Sequence, residues 1–581
     1  MTSATSARST VVRQHLKKHT HDYLFAVLWL GIFLLNLVKV PSGFGGYDET
    51  FYTILPIRYL SGARLIVDEW NLAQFSTLIN TPVVWLYGKL NGSWDGVLLF
   101  MRYAYLVFHS LCGVMVYRLL RKRGGLSASL AAALLMLFTP YDMMSLSYNT
   151  VGLDLMVLIF AYFCSTDTPS RVGAVVCGSL FGITVLGTPF LMLGFAGFAV
   201  YAAVRAIRQG KQDAFVRLFL YFTLGGCLVA AAVVTMLLIQ STPAQLIASL
   251  PAMLNDPAHG FGFQLTALVA ELFRQTPPGT WQMFLAFVLL LAVMAVDRQR
   301  TRRKGIYLVV SAALTLGMIA IAIPFWPELH YHAMLPPFAM FGLAAYLLCE
   351  RKPRQLQLMY LSGWVYAVCI HLSSNNGYYA FSMALMLSCV AAVFFTVQLI
   401  REGLDAFRQK DHNRFASLIA MTAGVLAVVL VFCSCGYIKR FHCYWDVSSA
   451  FCNRTVQRGP AKGLTSTDTS WNYSYYDALY YDMDDLRAME PGKLLVIDRR
   501  SWLYLMAPMH QISTYSPWLT DTKDLTRLGE YYELNPQSYP DYVYIPVSGD
   551  SVPEDVISVI GGEWDIRENV LSYTLIRKKG N

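Results

Sequence analysis

Repeated apolar stretches, each long enough to cross a bilayer, are the feature that most constrains the fold of this 581-residue chain. A transmembrane helix needs about 20 predominantly apolar residues. Soluble domains carry about 25% charged residues, whereas this chain has 14% charged and 55% hydrophobic residues. We therefore predict an all-α polytopic membrane protein with about thirteen transmembrane helices, centred near residues 31, 108, 133, 157, 179, 197, 228, 289, 315, 341, 364, 390 and 425.

Short basic clusters between the apolar stretches predict the orientation of these helices, because Lys and Arg concentrate in cytoplasmic loops. When the helices are counted from a cytoplasmic N-terminus, every cluster falls on the cytoplasmic side, and the first apolar stretch is an uncleaved helix of the cytoplasmic membrane. The net charge of +9 then reflects topology and predicts no nucleic-acid partner. The clusters are Arg121–Arg123, Arg171, Arg205–Arg217, Asp297–Gly305, Glu350–Gln355 and Arg401–Arg414.

The segments on the opposite side are poor in Lys and rich in aromatic and polar residues, so we expect the function of the chain to reside on this outer face. The first outer loop is the longest of those before the tail. These segments are Pro41–Asp95, 140–150, Ser241–Thr280, 325–332, 371–379 and everything after about residue 436.

The last part of the chain has the composition of a separate soluble domain. We place a membrane domain at residues 1–435 and an extracytoplasmic α/β domain at residues 436–581, which is long enough to form its own core. Alternating apolar residues predict its strands, and periodic segments behind capping signals predict short helices. The predicted strands are 493–498, 541–547 and 571–578, and the predicted helices are 484–489 and 552–560.

Two adjacent carboxylates, Asp48 and Glu49, stand where the chain leaves its first apolar stretch. A carboxylate at this place can act as a general base toward an acceptor hydroxyl; the alternative is a pair of solvated acids after a glycine-rich turn. Apolar residues at helical spacing in residues 50–62 predict a short helix along the membrane interface, which would hold the acids at a fixed depth. Residues 80–90 predict a second interfacial helix that has a proline at its start.

A third carboxylate, Asp154, lies in the first turns of the fourth predicted transmembrane helix. An ionisable group inside an apolar stretch is a candidate functional residue. The alternative is that Asp154 stabilises the positive N-terminal end of its helix. Asp142 and Asn149, in the preceding loop, are further candidates for contacts with an acceptor.

Three arginines on or near the outer face, Arg58, Arg64 and Arg102, are candidates for binding a lipid phosphate, because a guanidinium makes forked contacts with phosphate oxygens. His330 and His332 are candidates for binding a phosphate or a metal, and Tyr331 for other ligand contacts. The alternative for this last group is an aromatic belt at the membrane surface.

Motifs of soluble enzymes are absent: the sequence has no Walker loop, dinucleotide fingerprint, zinc-ligand spacing or nucleophile elbow. The sequence indicates no cofactor and leaves a divalent metal undetermined. Cys443 and Cys452 follow the last predicted transmembrane helix, and they form either a disulfide in an extracytoplasmic domain or two free thiols.

Several of these stretches resemble motifs of the GT-C membrane glycosyltransferases, in the branch that contains the protein O-mannosyltransferases and the lipid A aminoarabinose transferases. The resemblance covers about the first 430 residues. The stretch "YDETFYTILPIRYLSG" resembles that family's carboxylate-pair loop, and "NTPVVWLYGKL" resembles the helix that follows it. "GLDLMVLIFAYF" resembles the fourth-helix Asp motif, and "HYHAMLPPFAMFGLAAYLL" resembles a Tyr-x-Leu-Pro-x-x-Pro segment.

The resemblance implies an inverting transferase that uses a sugar linked to a polyprenyl phosphate. It implies that Asp48 is the base, Glu49 a supporting residue and Asp154 a second-site carboxylate, with donor phosphate contacts from cationic groups on the outer loops. One departure is that the aminoarabinose branch has Glu-Lys where this chain has Asn80 and Thr81. That difference removes a metal ligand and a cation, and it argues against a lipid A substrate.

We therefore expect a membrane glycosyltransferase that moves a hexosyl or pentosyl group from a polyprenyl-phosphate donor to a glycan, lipid or protein acceptor on the outer face. Two rival hypotheses come from other classes. A transporter or flippase of lipid-linked sugars predicts inverted repeats and broken helices near the midplane, which the sequence does not show. A non-catalytic cell-envelope protein would use its C-terminal domain to bind wall material.

Overall fold

The computed structural model describes residues 2–44, 48–210, 213–254, 335–350, 353–374, 377–410, 452–467, 473–518, 525–547 and 552–578, together with isolated positions between these ranges. Helices dominate the part before residue 410. They are α1 (Thr2–Lys39), α2 (Asp48–Leu60), α3 (Thr77–Asn91), α4 (Val97–Leu120), α5 (Gly125–Met136), α6 (Tyr148–Ser165), α7 (Arg171–Gly187), α8 (Leu191–Gln209), α9 (Ala214–Gln240), α10 (Pro243–Leu254), α11 (Leu335–Leu348), α12 (Arg354–Leu372), α13 (Gly377–Ala384) and α14 (Met386–Arg408).

Six of the described helices are long and apolar enough to cross a membrane, and they lie in α1, α4, α6, α8, α9 and α14. Shorter or less apolar helices occupy the predicted positions near residues 133, 179, 341 and 364. The helices predicted near residues 289, 315 and 425 lie outside the described residues. The prediction of a mostly helical chain with several candidate membrane helices is confirmed, while the count of thirteen stays a prediction.

The long helices divide into a central and a peripheral group. In the most apolar stretch of α14 and of α6, 78% and 72% of the residues are buried, against 11% in the corresponding stretches of α8 and α9. The peripheral helices therefore present apolar side chains outward along most of their length. Such a surface is stable only in contact with lipid or another apolar partner.

Helices α7 and α9 approach each other closely through glycines. A Cβ atom added at Gly178 would lie 1.8 Å from the carbonyl oxygen of Phe222, and one added at Gly225 would lie 2.0 Å from that of Val175. Ser179 Oγ donates a hydrogen bond across the same interface to the carbonyl of Gly225, at 3.2 Å. Membrane helices associate through such small-residue contacts because lipid provides no hydrophobic force to press them together.

We predict that Gly178→Ala destabilises the protein by about 1–3 kcal/mol, because the added methyl group forces two backbones apart. The matched control is Gly197→Ala in α8, where an added Cβ meets nothing within 4 Å. The thermal unfolding midpoint in detergent measures both. Equal midpoints for the two variants would contradict the close approach of α7 and α9.

The C-terminal domain contains a five-stranded mixed sheet in the order β6-β5-β7-β9-β8. Strand β5 pairs in parallel with β6 and β7, and β9 pairs antiparallel with β7 and β8. Two short antiparallel pairs, β1–β2 and β3–β4, precede it. The strands are β1 (His442–Cys443), β2 (Val447–Ser448), β3 (Arg454–Thr455), β4 (Thr465–Ser466), β5 (Lys493–Val496), β6 (Gln511–Ile512), β7 (Tyr542–Pro546), β8 (Trp564–Glu568) and β9 (Ser572–Arg577).

The helices of this domain are α15 (Tyr473–Asp482), α16 (Asp484–Ala488), α17 (Leu503–Met506), α18 (Leu525–Leu534) and α19 (Pro553–Ile560). The three predicted strands correspond to β5, β7 and β9, and the two predicted helices to α16 and α19. A C-terminal sheet domain is therefore confirmed. Strands β6 and β8 were not predicted, because β6 has two residues and β8 is mostly polar, with exposed side chains after Trp564.

Candidate functional site

Helix α2 begins with the carboxylate pair, so that Asp48 is its first residue and Glu49 its second. The predicted helix is present, but its position differs from the prediction: every residue from Glu49 to Arg58 is buried. The helix packs against α3 and α4 and under the C-terminal domain, so it is not an exposed amphipathic helix. Helix α3 fits that description better, because it exposes Trp85, Leu86 and Leu90.

Glu49 is 1% exposed and forms a forked ion pair with Arg102 of α4. The Nε and Nη2 atoms of Arg102 donate to the two carboxylate oxygens at 2.5 and 2.7 Å. The remaining N–H groups donate to the carbonyls of Val40, Ser42 and Gly43 at 2.8–3.1 Å. All five guanidinium N–H groups are thus bonded within the chain, a geometry that favours a structural role for Arg102 over the phosphate contact predicted from the sequence.

Asp48, by contrast, is half-buried. Its helix places Tyr52 one turn later, and Tyr148, the first residue of α6, lies close enough to interact electrostatically with Asp48. The rings of Tyr52 and Tyr148 meet edge to face at a centroid distance of 5.5 Å. Asp48 is therefore partly exposed, its backbone belongs to a helix, and two tyrosine rings lie nearby.

The C-terminal domain closes over this loop. Ser501 and Thr50 share a hydrogen bond of 2.7 Å between their hydroxyls, and Phe44 meets the ring of Trp502 at 5.8 Å. The backbone of Thr465 donates to the carbonyl of Pro41 at 2.7 Å. The two domains therefore meet at the carboxylate pair, and residues from both surround it.

Arg58 joins the first outer loop to the C-terminal domain. Its side chain is 5% exposed and forms an ion pair of 2.6 Å with Glu69, and it donates to the carbonyls of Asp68 and Thr514. Burial raises the pKa of Glu69 from 4.5 to about 7, although the charge of Arg58 opposes this shift. Arg58 is thus committed to the domain contact, which favours a structural role over phosphate binding.

The remaining predicted residues of this region are Arg64, Asp142 and Asn149, and the two charged ones form ion pairs within the chain. Arg64 forms a forked pair with Asp68 at 2.8 and 2.9 Å, and its side chain is 22% exposed. Asp142 pairs with Lys39 at 3.0 Å and has a positive φ of 54°. Asn149 is 8% exposed at the start of α6.

Asp154 is 1% exposed, and both of its oxygens contact Nδ1 of His109, at 2.8 and 3.0 Å. Nε2 of His109 lies 3.0 Å from the carbonyl oxygen of Leu135. Both ring nitrogens therefore face acceptors, an arrangement that the doubly protonated ring satisfies. This geometry ties α4, α5 and α6 together and favours a structural role for Asp154. His109 stands alone in an apolar stretch of the sequence and was not among the predicted site residues.

Some predicted residues cannot be placed. His330, Tyr331 and His332 lie outside the described residues, as does the side chain of Cys443. Cys452 is half-buried, and the disulfide stays a prediction. Within the described part of the chain, no three His, Cys, Asp or Glu side chains lie close enough to hold a metal ion.

We predict that Arg102→Leu destabilises the protein by about 3–5 kcal/mol, because it leaves the buried Glu49 without a counter-charge. The double variant Glu49→Leu/Arg102→Leu should lose less than the two single variants together, since contacting residues couple. Thermal unfolding in detergent measures this cycle. Additive losses would contradict the pairing; Arg64→Leu, which removes a partly exposed pair, is the milder control.

We also predict a pH dependence from Glu69. Because folding raises its pKa from 4.5 to about 7, its contribution to stability is full below pH 4.5 and is lost as the pH rises to about 7. Wild-type protein should therefore lose stability relative to Glu69→Gln between pH 5 and pH 8. Unfolding midpoints of both proteins across this range test the sign, and a constant or opposite difference would refute it.

Comparisons with known proteins give structural matches only: no protein-family model and no curated protein matches the sequence. The apo oligosaccharyltransferase of Archaeoglobus fulgidus matches at 13% identity with a TM-score of 0.49, covering 92% of this chain and 70% of that chain. ArnT from Cupriavidus metallidurans bound to undecaprenyl phosphate matches at 13% identity with a TM-score of 0.41, covering 96% and 98%. Both are GT-C fold membrane glycosyltransferases, the class that the motifs of this chain resemble.

Proposed function

We propose that this protein is an inverting membrane glycosyltransferase that moves a sugar from a polyprenyl-phosphate donor to an acceptor on the outer face of the cytoplasmic membrane. The observation that carries the proposal is the asymmetry of the carboxylate pair. Glu49 is buried and bonded on both oxygens by Arg102, whereas the adjacent Asp48 is half-buried at the seam between the two domains. Glu49 holds the start of the helix in place, and Asp48 keeps part of its surface exposed.

Asp48 acts as the general base in this proposal. The acceptor hydroxyl attacks the anomeric carbon of the donor while Asp48 takes its proton, and the bond between that carbon and the phosphate oxygen breaks. The leaving group is the polyprenyl phosphate, which keeps the bonding electrons. Removing a positioned general base typically slows a reaction by about 10²–10⁴-fold.

The departing phosphate requires positive charge, because catalysis depends on groups aimed at the charge that develops. Among the three predicted arginines, Arg64 is the one best suited to exchange partners, since its side chain is 22% exposed, against 5% for Arg58 and Arg102. We propose Arg64, with His330 and His332, for the phosphate. Arg58 and Arg102 hold the surrounding loop in place.

The C-terminal domain supports a role in acceptor binding. It covers the loop that carries Asp48 and contributes Ser501 and Trp502 beside it. An acceptor that reaches Asp48 from the aqueous side would pass along this domain. The candidate acceptors are a glycan, a lipid and a protein.

The decisive experiment uses purified protein in proteoliposomes with undecaprenyl-phosphate-linked glucose, mannose and galactose, and a cell-envelope extract as the source of acceptor. We expect release of undecaprenyl phosphate from at least one donor and a loss of about 10²–10⁴-fold in Asp48→Asn. Asp95→Asn, which changes an exposed acid in the same outer loop, should behave as wild type.

Three outcomes would contradict the proposal. Full activity in a correctly folded Asp48→Asn protein would remove Asp48 as the base. No release from any donor, combined with movement of intact lipid-linked sugar across the liposome bilayer, would favour the flippase hypothesis. Binding of envelope material without release or movement would favour a non-catalytic envelope protein.

A further inference from the structure

Four buried oxygen atoms near the first residues of α3 have no hydrogen-bond partner within the described part of the chain. They are Ser76 Oγ, Thr77 Oγ1, Asn80 Oδ1 and Ser145 Oγ. Each of these residues is at most 2% exposed. Buried polar groups in folded proteins almost always have partners, so several unpaired atoms in one region indicate a missing partner.

The amide of Asn80 shows what kind of partner is missing. Its Nδ2 donates to the carbonyls of Tyr52 at 3.1 Å and Leu146 at 3.0 Å. Both N–H groups are therefore used, and the amide cannot be flipped without losing two hydrogen bonds. Oδ1 is left as an acceptor only, so the partner must present a donor. The three hydroxyls accept as well as donate, which suits a ligand that carries several hydroxyl groups.

Aromatic rings lie next to these atoms. Tyr52, whose carbonyl receives the Asn80 amide, meets the rings of Phe51 and Tyr148 at 5.6 and 5.5 Å. Trp518 of the C-terminal domain meets Phe51 at 6.4 Å, and its Nε1 also lacks a partner among the described residues. A pocket of aromatic faces with a few oriented polar groups is the usual form of a small-ligand site, and a sugar ring has both apolar and hydroxyl faces.

Tyr52 and Tyr148 connect this cluster to Asp48. Asp48 and Tyr52 are four residues apart in α2, so they share one face of that helix, and Tyr148 interacts with both. The opposite face of α3 exposes Trp85, Leu86 and Leu90, which suits contact with lipid. Helix α3 thus has an exposed apolar face as well as the unpaired oxygens near its start, which favours a ligand with a lipid anchor and a polar head group.

We propose that Ser76, Thr77, Asn80 and Ser145 bind hydroxyl groups of the sugar ring on the lipid-linked donor, with Tyr52, Tyr148 and Trp518 against the face of the ring. This inference deepens the proposed function and rests on it. It names the determinants of sugar specificity: the ring must present a hydroxyl donor to Asn80. A bare lipid phosphate makes none of these contacts.

The test compares the binding of bare undecaprenyl phosphate with that of undecaprenyl-phosphate-linked glucose, mannose and galactose, measured in nanodiscs. Thr77→Val and Ser145→Ala remove hydroxyls that have no described partner, so each should leave the unfolding midpoint unchanged or raise it. Each should weaken binding of the preferred sugar-linked lipid by about three- to tenfold, the effect of one hydrogen bond. Binding of the bare lipid should not change.

Two control variants accompany these. Ser110→Ala removes an equally buried and unpaired hydroxyl in the middle of α4, and it should not affect sugar binding. Thr81→Val removes a hydroxyl that donates to the carbonyl of Thr77 at 2.7 Å within α3, and it should lower the unfolding midpoint instead.

Three outcomes overturn the inference. In the first, wild-type protein binds the sugar-linked lipids no more tightly than the bare lipid; in the second, Thr77→Val and Ser145→Ala bind them as wild type does, because water satisfies the hydroxyls. In the third, both variants lower the unfolding midpoint and weaken binding of the bare lipid as much as binding of the sugar-linked lipid. Failure of the proposed function looks different. In that case binding depends on these hydroxyls, yet no undecaprenyl phosphate is released with any acceptor.

Discussion

The forked ion pair between Glu49 and Arg102 is the interaction on which the proposed site depends. Two charges buried this deeply are stable only when their geometry is good and their remaining hydrogen-bonding groups are satisfied. Here both carboxylate oxygens and all five guanidinium N–H groups have partners. The end of α1, the start of α2 and the start of α4 therefore meet at one point, and Asp48 is one peptide bond away from it.

Local patterns in the sequence predicted much of this arrangement, and non-local pairings did not follow from them. Strands β5, β7 and β9 were predictable because alternation and turn residues act over a few positions. The pairing of Glu49 with Arg102 joins residues 53 positions apart, and no periodicity reports such a contact. The same limit explains why three outer-face arginines suggested a phosphate site: a sequence shows charges, but it does not show which charges are already neutralised.

The two helices of the first outer loop illustrate the same limit in packing. Apolar spacing predicted both helices, but it predicted an interfacial position for α2, whose residues from Glu49 to Arg58 are buried. Periodicity shows that a helix has an apolar face without showing what covers its other face. For α2 that cover includes a domain more than 400 residues later in the chain, whose Thr514 and Ser501 contact Arg58 and Thr50. Thus α3 keeps an exposed apolar surface, whereas α2 exposes only Leu60 at its end among its large apolar side chains.

The contact between Arg58 and Thr514 also has a consequence for biogenesis. These residues are 456 positions apart, and ribosomes add about 5–20 residues per second. Arg58 therefore emerges roughly 20 to 90 seconds before its partner exists. During this interval the first outer loop cannot reach its final packing, so the proposed site is completed only when the C-terminal domain folds. A chain released before this domain is made would contain the carboxylate pair without the rest of the proposed site.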